Sequence, residues 1–83
     1  MDASKKLLEW MDVAAERGNY ELRKTLCIAR DIIDGLFNDS DLHYYVSKHL
    51  EPIRSAFASM NQENEELIEI VGLFEDKIKE LGI

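Results

Sequence analysis

The amino-acid sequence predicts an all-α protein. We expect a small helical bundle in which an N-terminal antiparallel helical hairpin precedes a long C-terminal helix with coiled-coil-like heptads, kinked or broken at Pro52. Glycine and proline are rare, apolar residues recur at spacings of three and four, and each break in this pattern resembles a helix boundary. We expect one domain over residues 1–83. Its predicted helices lie at about 3–17, 20–36, 41–50 and 52–81.

The first predicted helix has an apolar stripe formed by Leu7, Met11 and Ala14, which Leu8 and Ala15 widen. Gly18 follows the stripe and can adopt the left-handed conformation that ends helices, and Asn19 can cap the next helix. So short a break between two helices predicts an antiparallel hairpin.

The second predicted helix is apolar over a broad face. Its main stripe has 4-3-4-3 spacing, and Ile28 and Ile32 lie beside it. The stripe consists of Leu22, Leu26, Ala29, Ile33 and Leu36. A face this broad requires neighbours on more than one side, which predicts a place at the centre of the bundle. The polar residues 38–41 then predict a turn that contains several candidate helix caps.

The third predicted helix begins near Asp41 and is interrupted by Pro52. Proline cannot donate a hydrogen bond to the carbonyl four residues earlier and clashes with it, so we expect a kink or a short break there. The inner side of this helix is predicted to carry Leu42, Tyr45, Val46, His49 and Leu50.

The apolar register after Pro52 is the most informative pattern in the sequence. Its 4-3 spacing continues over four heptads and indicates knobs-into-holes packing against other helices. A continuous helix of about 30 residues would be about 45 Å long. The alternative is a four-helix monomer in which the chain folds back near 61–64, with Ser59, Asn61 and Gln62 as candidate capping residues.

Self-association is predicted because so short a chain has a thin core and cannot form an internal disulfide. Asn64 would either pair with its symmetry mate in a dimer or lie in a loop at the edge of the seam. Ile68 and Ile70 widen the seam beyond a two-stranded zipper. The predicted interface comprises Ile53, Phe57, Met60, Asn64, Leu67, Ile68, Ile70, Val71, Phe74, Ile78 and Leu81.

Charge is concentrated near the C-terminus. The net charge is −7, and residues 61–83 contain seven acids but only two bases. Direct binding to nucleic acid or to an anionic membrane is disfavoured because both require a basic surface, whereas a basic protein partner fits. The acids also suit the positive end of a helix. The residues predicted to contact a partner are Tyr44, Tyr45, Glu63, Glu65, Glu66 and Glu69.

No catalytic, metal or cofactor motif is recognisable, so we expect neither enzymatic activity nor a bound cofactor. One cysteine and two histidines cannot form a closed structural zinc site within one chain. Cys27 lies between Leu26 and Ile28, which is typical of a small core residue in a reducing compartment. With no signal-like or membrane-spanning apolar run, the predicted location is cytoplasmic.

Two hypotheses of function follow from these observations. The first is a non-enzymatic helical protein–protein interaction module, such as an adaptor, assembly factor or small regulator, that self-associates through its heptad helix, with a dimer favoured. The alternative is an acidic inhibitor, of the kind made by phages or mobile elements, that blocks a basic nucleic-acid-binding protein by surface mimicry. The uninterrupted heptad and the thin core favour the first hypothesis, whereas small size and a net charge of −7 fit the second.

Overall fold

The computed structural model describes residues 2–36 and 42–83 and folds them into four α-helices. The helices are α1 (Ala3–Glu16), α2 (Tyr20–Asp34), α3 (Leu42–Ser59) and α4 (Glu65–Glu80). The described ranges contain no strand. The predicted all-α class is therefore confirmed, and the arrangement is compatible with a small helical bundle. The turn predicted at 38–41 lies outside the described residues.

The α1–α2 hairpin forms where the sequence predicts it. Leu7, Met11 and Ala14 are the buried residues of α1. Gly18 adopts a φ of 73°, a conformation that costs glycine little and reverses the chain after α1. The side chain of Asn19 accepts a hydrogen bond from the backbone N–H of Leu22 at 3.2 Å and caps α2.

Helix α2 is the central helix of the bundle, because α1, α3 and α4 all pack against it. The prediction from its broad apolar face is thus confirmed. Its buried residues are Leu26, Ile28, Ala29 and Ile32. Gly35, with a φ of 69°, ends α2 at Asp34, two residues before the predicted end. Leu36 consequently lies outside the helix and is 69% exposed, although its spacing predicted a place in the core.

Pro52 does not end a helix, contrary to the predicted boundary between 50 and 52. Helix α3 continues through Pro52 to Ser59. Pro52 leaves the carbonyl of Lys48 without its usual intrahelical donor. Both residues are exposed, so water can reach this part of the helix and hydrate the carbonyl. The cost of the proline is therefore lower than it would be on the buried side of α3.

The single helix predicted over 52–81 is two helices, because the chain leaves the helical conformation after Ser59 and resumes it at Glu65. The amide of Gln62 donates to the carbonyls of Phe57 and Met60 at 2.6 and 2.9 Å, which satisfies groups at the end of α3. Asn64 caps α4 by accepting from the backbone N–H groups of Glu66 and Leu67. The predicted alternative, a fold-back near 61–64, is the one observed.

The heptad residues face the core of their own chain. Because α4 folds back, its inner residues reach α2 and α3 without a second molecule. Phe57 of α3 and Phe74 of α4 meet edge to face, with ring centroids 5.8 Å apart. The molecule's longest dimension is 35 Å, shorter than the 45 Å expected for an unbroken helix. The 3-4 periodicity therefore marks an intramolecular seam.

The two roles considered for Asn64 predict opposite effects of one substitution. If Asn64 caps α4, Asn64→Val removes two hydrogen bonds at the helix end and should lower the free energy of unfolding by about 1 kcal/mol. At a buried coiled-coil position the same valine should stabilise the protein.

Urea unfolding monitored by circular dichroism distinguishes these effects. Asn64→Ser is the control, because serine keeps a capping oxygen and should lower stability by less than the valine does. A valine variant as stable as the wild type would contradict the capping role.

Candidate protein-interaction surfaces

Most of the predicted self-association interface holds the single chain together. Six of its eleven residues are at most 3% exposed, and four more are half-buried. The six buried residues are Ile53, Phe57, Leu67, Ile70, Phe74 and Ile78. The half-buried ones are Met60, Asn64, Val71 and Leu81. Ile68 stands apart, because 58% of it is exposed.

The two adjacent tyrosines at the start of α3 differ in environment. Tyr44 is 75% exposed, whereas Tyr45 is half-buried. The ring of Tyr45 packs against that of His49 one turn later, with centroids 4.6 Å apart. Tyr44 is therefore available to a partner, and Tyr45 contributes mainly to the packing of α3 within the chain.

The surroundings of Tyr45 and His49 shift the pKa of both residues. Partial burial raises the pKa of Tyr45 above its usual value, and the nearby Asp31 and Cys27 raise it further by smaller amounts. Partial burial lowers the pKa of His49, and the positive charges of Lys48 and Lys24 lower it further by smaller amounts. The folded protein therefore favours the neutral form of each ring.

The four acidic residues that were predicted to contact a partner differ in their exposure and in their contacts within the chain. Glu63, Glu65 and Glu69 are exposed, whereas Glu66 is half-buried. The carboxylate of Glu66 lies 3.0 Å from the ammonium of Lys6 and connects α4 to α1. Within the described part of the chain, Glu66 is thus the one of these four acids that forms an ion pair with another helix.

An acidic ridge runs along the outer side of α4, formed by Glu65, Glu69 and Asp76. Their spacing of four and seven residues places them within about 40° of one another around the helix. All three are exposed, and none forms an ion pair with another described residue. The ridge therefore presents three unpaired carboxylates to solvent.

A shallow groove lies between α3 and α4, and we refer to it as the side groove. It encloses about 280 Å³, and Phe57, Ala58 and Val71 give it an apolar lining. Arg54 and Glu75, which also line it, form an ion pair across the two helices at 2.6 Å. Ile68 lies two turns before Glu75 on the same side of α4. An exposed isoleucine thus lies on the same side of α4 as two of the groove's lining residues, Val71 and Glu75, although it does not itself line the groove.

A larger groove, the end groove, lies where the α1–α2 hairpin turns, next to the segment that follows α3. It encloses about 560 Å³, a volume typical of ligand sites, and its lining is mostly apolar. The principal apolar lining residues are Trp10, Val13, Leu22, Leu26 and Met60. Arg17, Asn19, Ser59 and Asn61 complete the lining.

The sequence did not predict the end groove. Trp10 and Met60 are fifty positions apart in the chain, and no periodic pattern connects them. The available signals were local: a tryptophan three residues before Val13, and Arg17 directly before the hairpin turn.

The described residues contain no cluster of three or more His, Cys, Asp or Glu side chains arranged to hold a metal ion. Within the same ranges, every helix is too short or too polar to cross a bilayer. The chain matches no family model, no curated protein and no solved structure.

The lowered pKa of His49 predicts a pH dependence of stability. The unfolded chain binds a proton at His49 near pH 6.5, whereas the folded chain binds it only at lower pH. The contribution of His49 to the free energy of unfolding is therefore fully present above pH 6.5. It decreases as the pH falls from that value towards the pKa of His49 in the folded protein.

Urea unfolding at pH 7.5, 6.0 and 5.0 measures the effect. In the His49→Gln variant the loss of stability between pH 7.5 and 5.0 should be smaller than in the wild type. Equal losses in the two proteins would show that His49 titrates alike in the folded and unfolded states.

Proposed function

We propose that this protein is a non-enzymatic, cytoplasmic helical interaction module that forms a homodimer through the side groove and Ile68. The observation that carries the proposal is the position of Ile68, 58% exposed and beside a groove lined by Phe57, Ala58 and Val71. A single exposed apolar side chain is common on protein surfaces and costs little free energy. When such a side chain lies beside an apolar groove, however, it can enter the same groove of a second copy of the chain.

In a dimer with a two-fold axis, each copy would contribute both its Ile68 and its side groove. Ile68 of one copy would enter the side groove of the second, and the reverse contact would follow by symmetry. Fully burying one isoleucine side chain contributes about 1.5–3 kcal/mol, so two such contacts supply a substantial part of a dimer's stability. Because the chain is small and its own core is thin, this additional burial would add appreciably to its stability.

The acidic ridge lies on a different side of α4 from Ile68 and would stay exposed in this dimer.

Light scattering coupled to size-exclusion chromatography tests the dimer. The wild type should have twice the 9.6 kDa mass of one chain, and Ile68→Asp should raise the dimer dissociation constant at least about 100-fold, because two buried isoleucines are lost.

Leu73→Asp is the matched control. Leu73 is also exposed, at 42%, and lies about 140° around α4 from Ile68, so this variant should remain dimeric. Circular dichroism confirms that both variants fold. A wild type that stays monomeric at millimolar concentration, or an Ile68→Asp variant that dimerises normally, would contradict the proposed interface.

A second candidate function is supported by the acidic ridge. Under this proposal, Glu65, Glu69 and Asp76 engage a basic nucleic-acid-binding protein and block its nucleic-acid site. Three unpaired carboxylates on one helix side supply the negative charge that such a surface attracts. The ridge also has an ordinary explanation in part, since the first-turn acid Glu65 complements the positive end of α4.

Displacement of DNA from a panel of purified basic DNA-binding proteins tests the inhibitor. Displacement should weaken between 50 and 300 mM salt and should be lost in the double variant Glu65→Gln, Glu69→Gln. The control is Glu9→Gln, an exposed acid on α1 outside the ridge. No displacement by the wild type, or equal displacement by all three proteins, would exclude this function for the ridge.

A further inference from the structure

The end groove offers hydrogen-bond donors around an apolar lining. The side-chain oxygen of Asn19 already accepts from Leu22, and that of Asn61 accepts from Glu63. Among the described residues, no acceptor pairs with the amide NH₂ groups of these asparagines or with the indole N–H of Trp10, so all three are left as donors. The described lining of the groove contains no carboxylate. A ligand that fits this site would therefore have an apolar group that carries hydrogen-bond acceptor oxygens.

Arg17 is the only charged residue among the described residues that line the groove. Its guanidinium forms no ion pair or hydrogen bond with another described residue. The surrounding segment 17–24 contains three bases and one acid, although the whole chain has a net charge of −7. An arginine of this kind pairs strongly with a carboxylate through two parallel hydrogen bonds.

We propose that the end groove binds a segment of a partner polypeptide in which one or two large apolar side chains stand next to a carboxylate. The apolar side chains contact Trp10, Val13 and Met60, and the carboxylate pairs with Arg17. A polypeptide suits the groove because the groove is partly open to solvent, and the flanking residues of a peptide can cover it. This site is separate from the side groove and does not depend on dimer formation.

Two dyes of similar shape test the chemistry of the site. Anilinonaphthalene sulfonate is apolar with one anionic group, and the sulfonate stands in for the carboxylate. N-phenyl-1-naphthylamine has the same rings without the charge. Because Trp10 is the only tryptophan, energy transfer from its emission reports dye binding to the protein, and the groove variants below assign that binding to the end groove.

The charged dye should bind at one saturable site, and Arg17→Gln should weaken it about tenfold, the effect of one charge-assisted hydrogen bond. The same variant should bind the uncharged dye within twofold of the wild type. Val13→Glu, which places an acid in the groove at a residue 43% exposed, should weaken both dyes and the charged one more.

Arg23→Gln is the matched control, because it removes the same charge from a residue that does not line the groove. It should leave both affinities unchanged. Equal effects of Arg17→Gln and Arg23→Gln, or equal effects of Arg17→Gln on the two dyes, would overturn the role of Arg17.

Selection from a random twelve-residue peptide library identifies the kind of occupant. Peptides that the charged dye displaces should be enriched in Asp or Glu next to Leu, Ile, Phe or Trp. The Arg17→Glu variant should instead select Lys or Arg at that position. Selected peptides without an acidic preference would overturn the proposal, and dye binding without any displaceable peptide would assign the groove to a small apolar anion.

Discussion

The structure depends on the burial of the inner face of α4 against the helices that precede it. Leu67, Ile70, Phe74 and Ile78 are each at most 2% exposed, and together they fill the space beside α2 and α3. Burial of each such side chain contributes about 1.5–3 kcal/mol, a large amount in a chain with so little interior. This burial is geometrically feasible because the five residues 60–64 reverse the chain, with Gln62 closing α3 and Asn64 opening α4.

The amino-acid sequence was sufficient to predict the helical class, the α1–α2 hairpin and the central place of α2, because these follow from local spacing and from Gly18 and Asn19. It gave the chain reversal near 61–64 only as an alternative to one long helix and was insufficient to decide between the two. Pro52 is the stronger helix breaker by intrinsic preference, yet it lies on the exposed side of α3, where its cost is small. The weaker signals at Gln62 and Asn64 prevailed because a reversal there allows α4 to be buried.

Periodicity shows which side of a helix is buried but not which helix covers it. The 4-3 pattern of residues 53–81 correctly marked the buried side, and the same pattern would serve a second molecule or the same chain. Ile68 broke the strict pattern and is the member of the predicted interface that remains most exposed. The end groove, by contrast, arises from contacts distant in sequence, so no local pattern could predict it.

The contact between the first and last helices has a consequence for biosynthesis. Lys6 of α1 pairs with Glu66 of α4, and Leu7 shares one core with Ile78. A ribosome delivers these partners about 60–70 residues apart, so the apolar surface of α1, α2 and α3 that α4 covers stays exposed until α4 emerges. The nascent chain is most open to wrong partners before that moment, and the docking of α4 ends this interval.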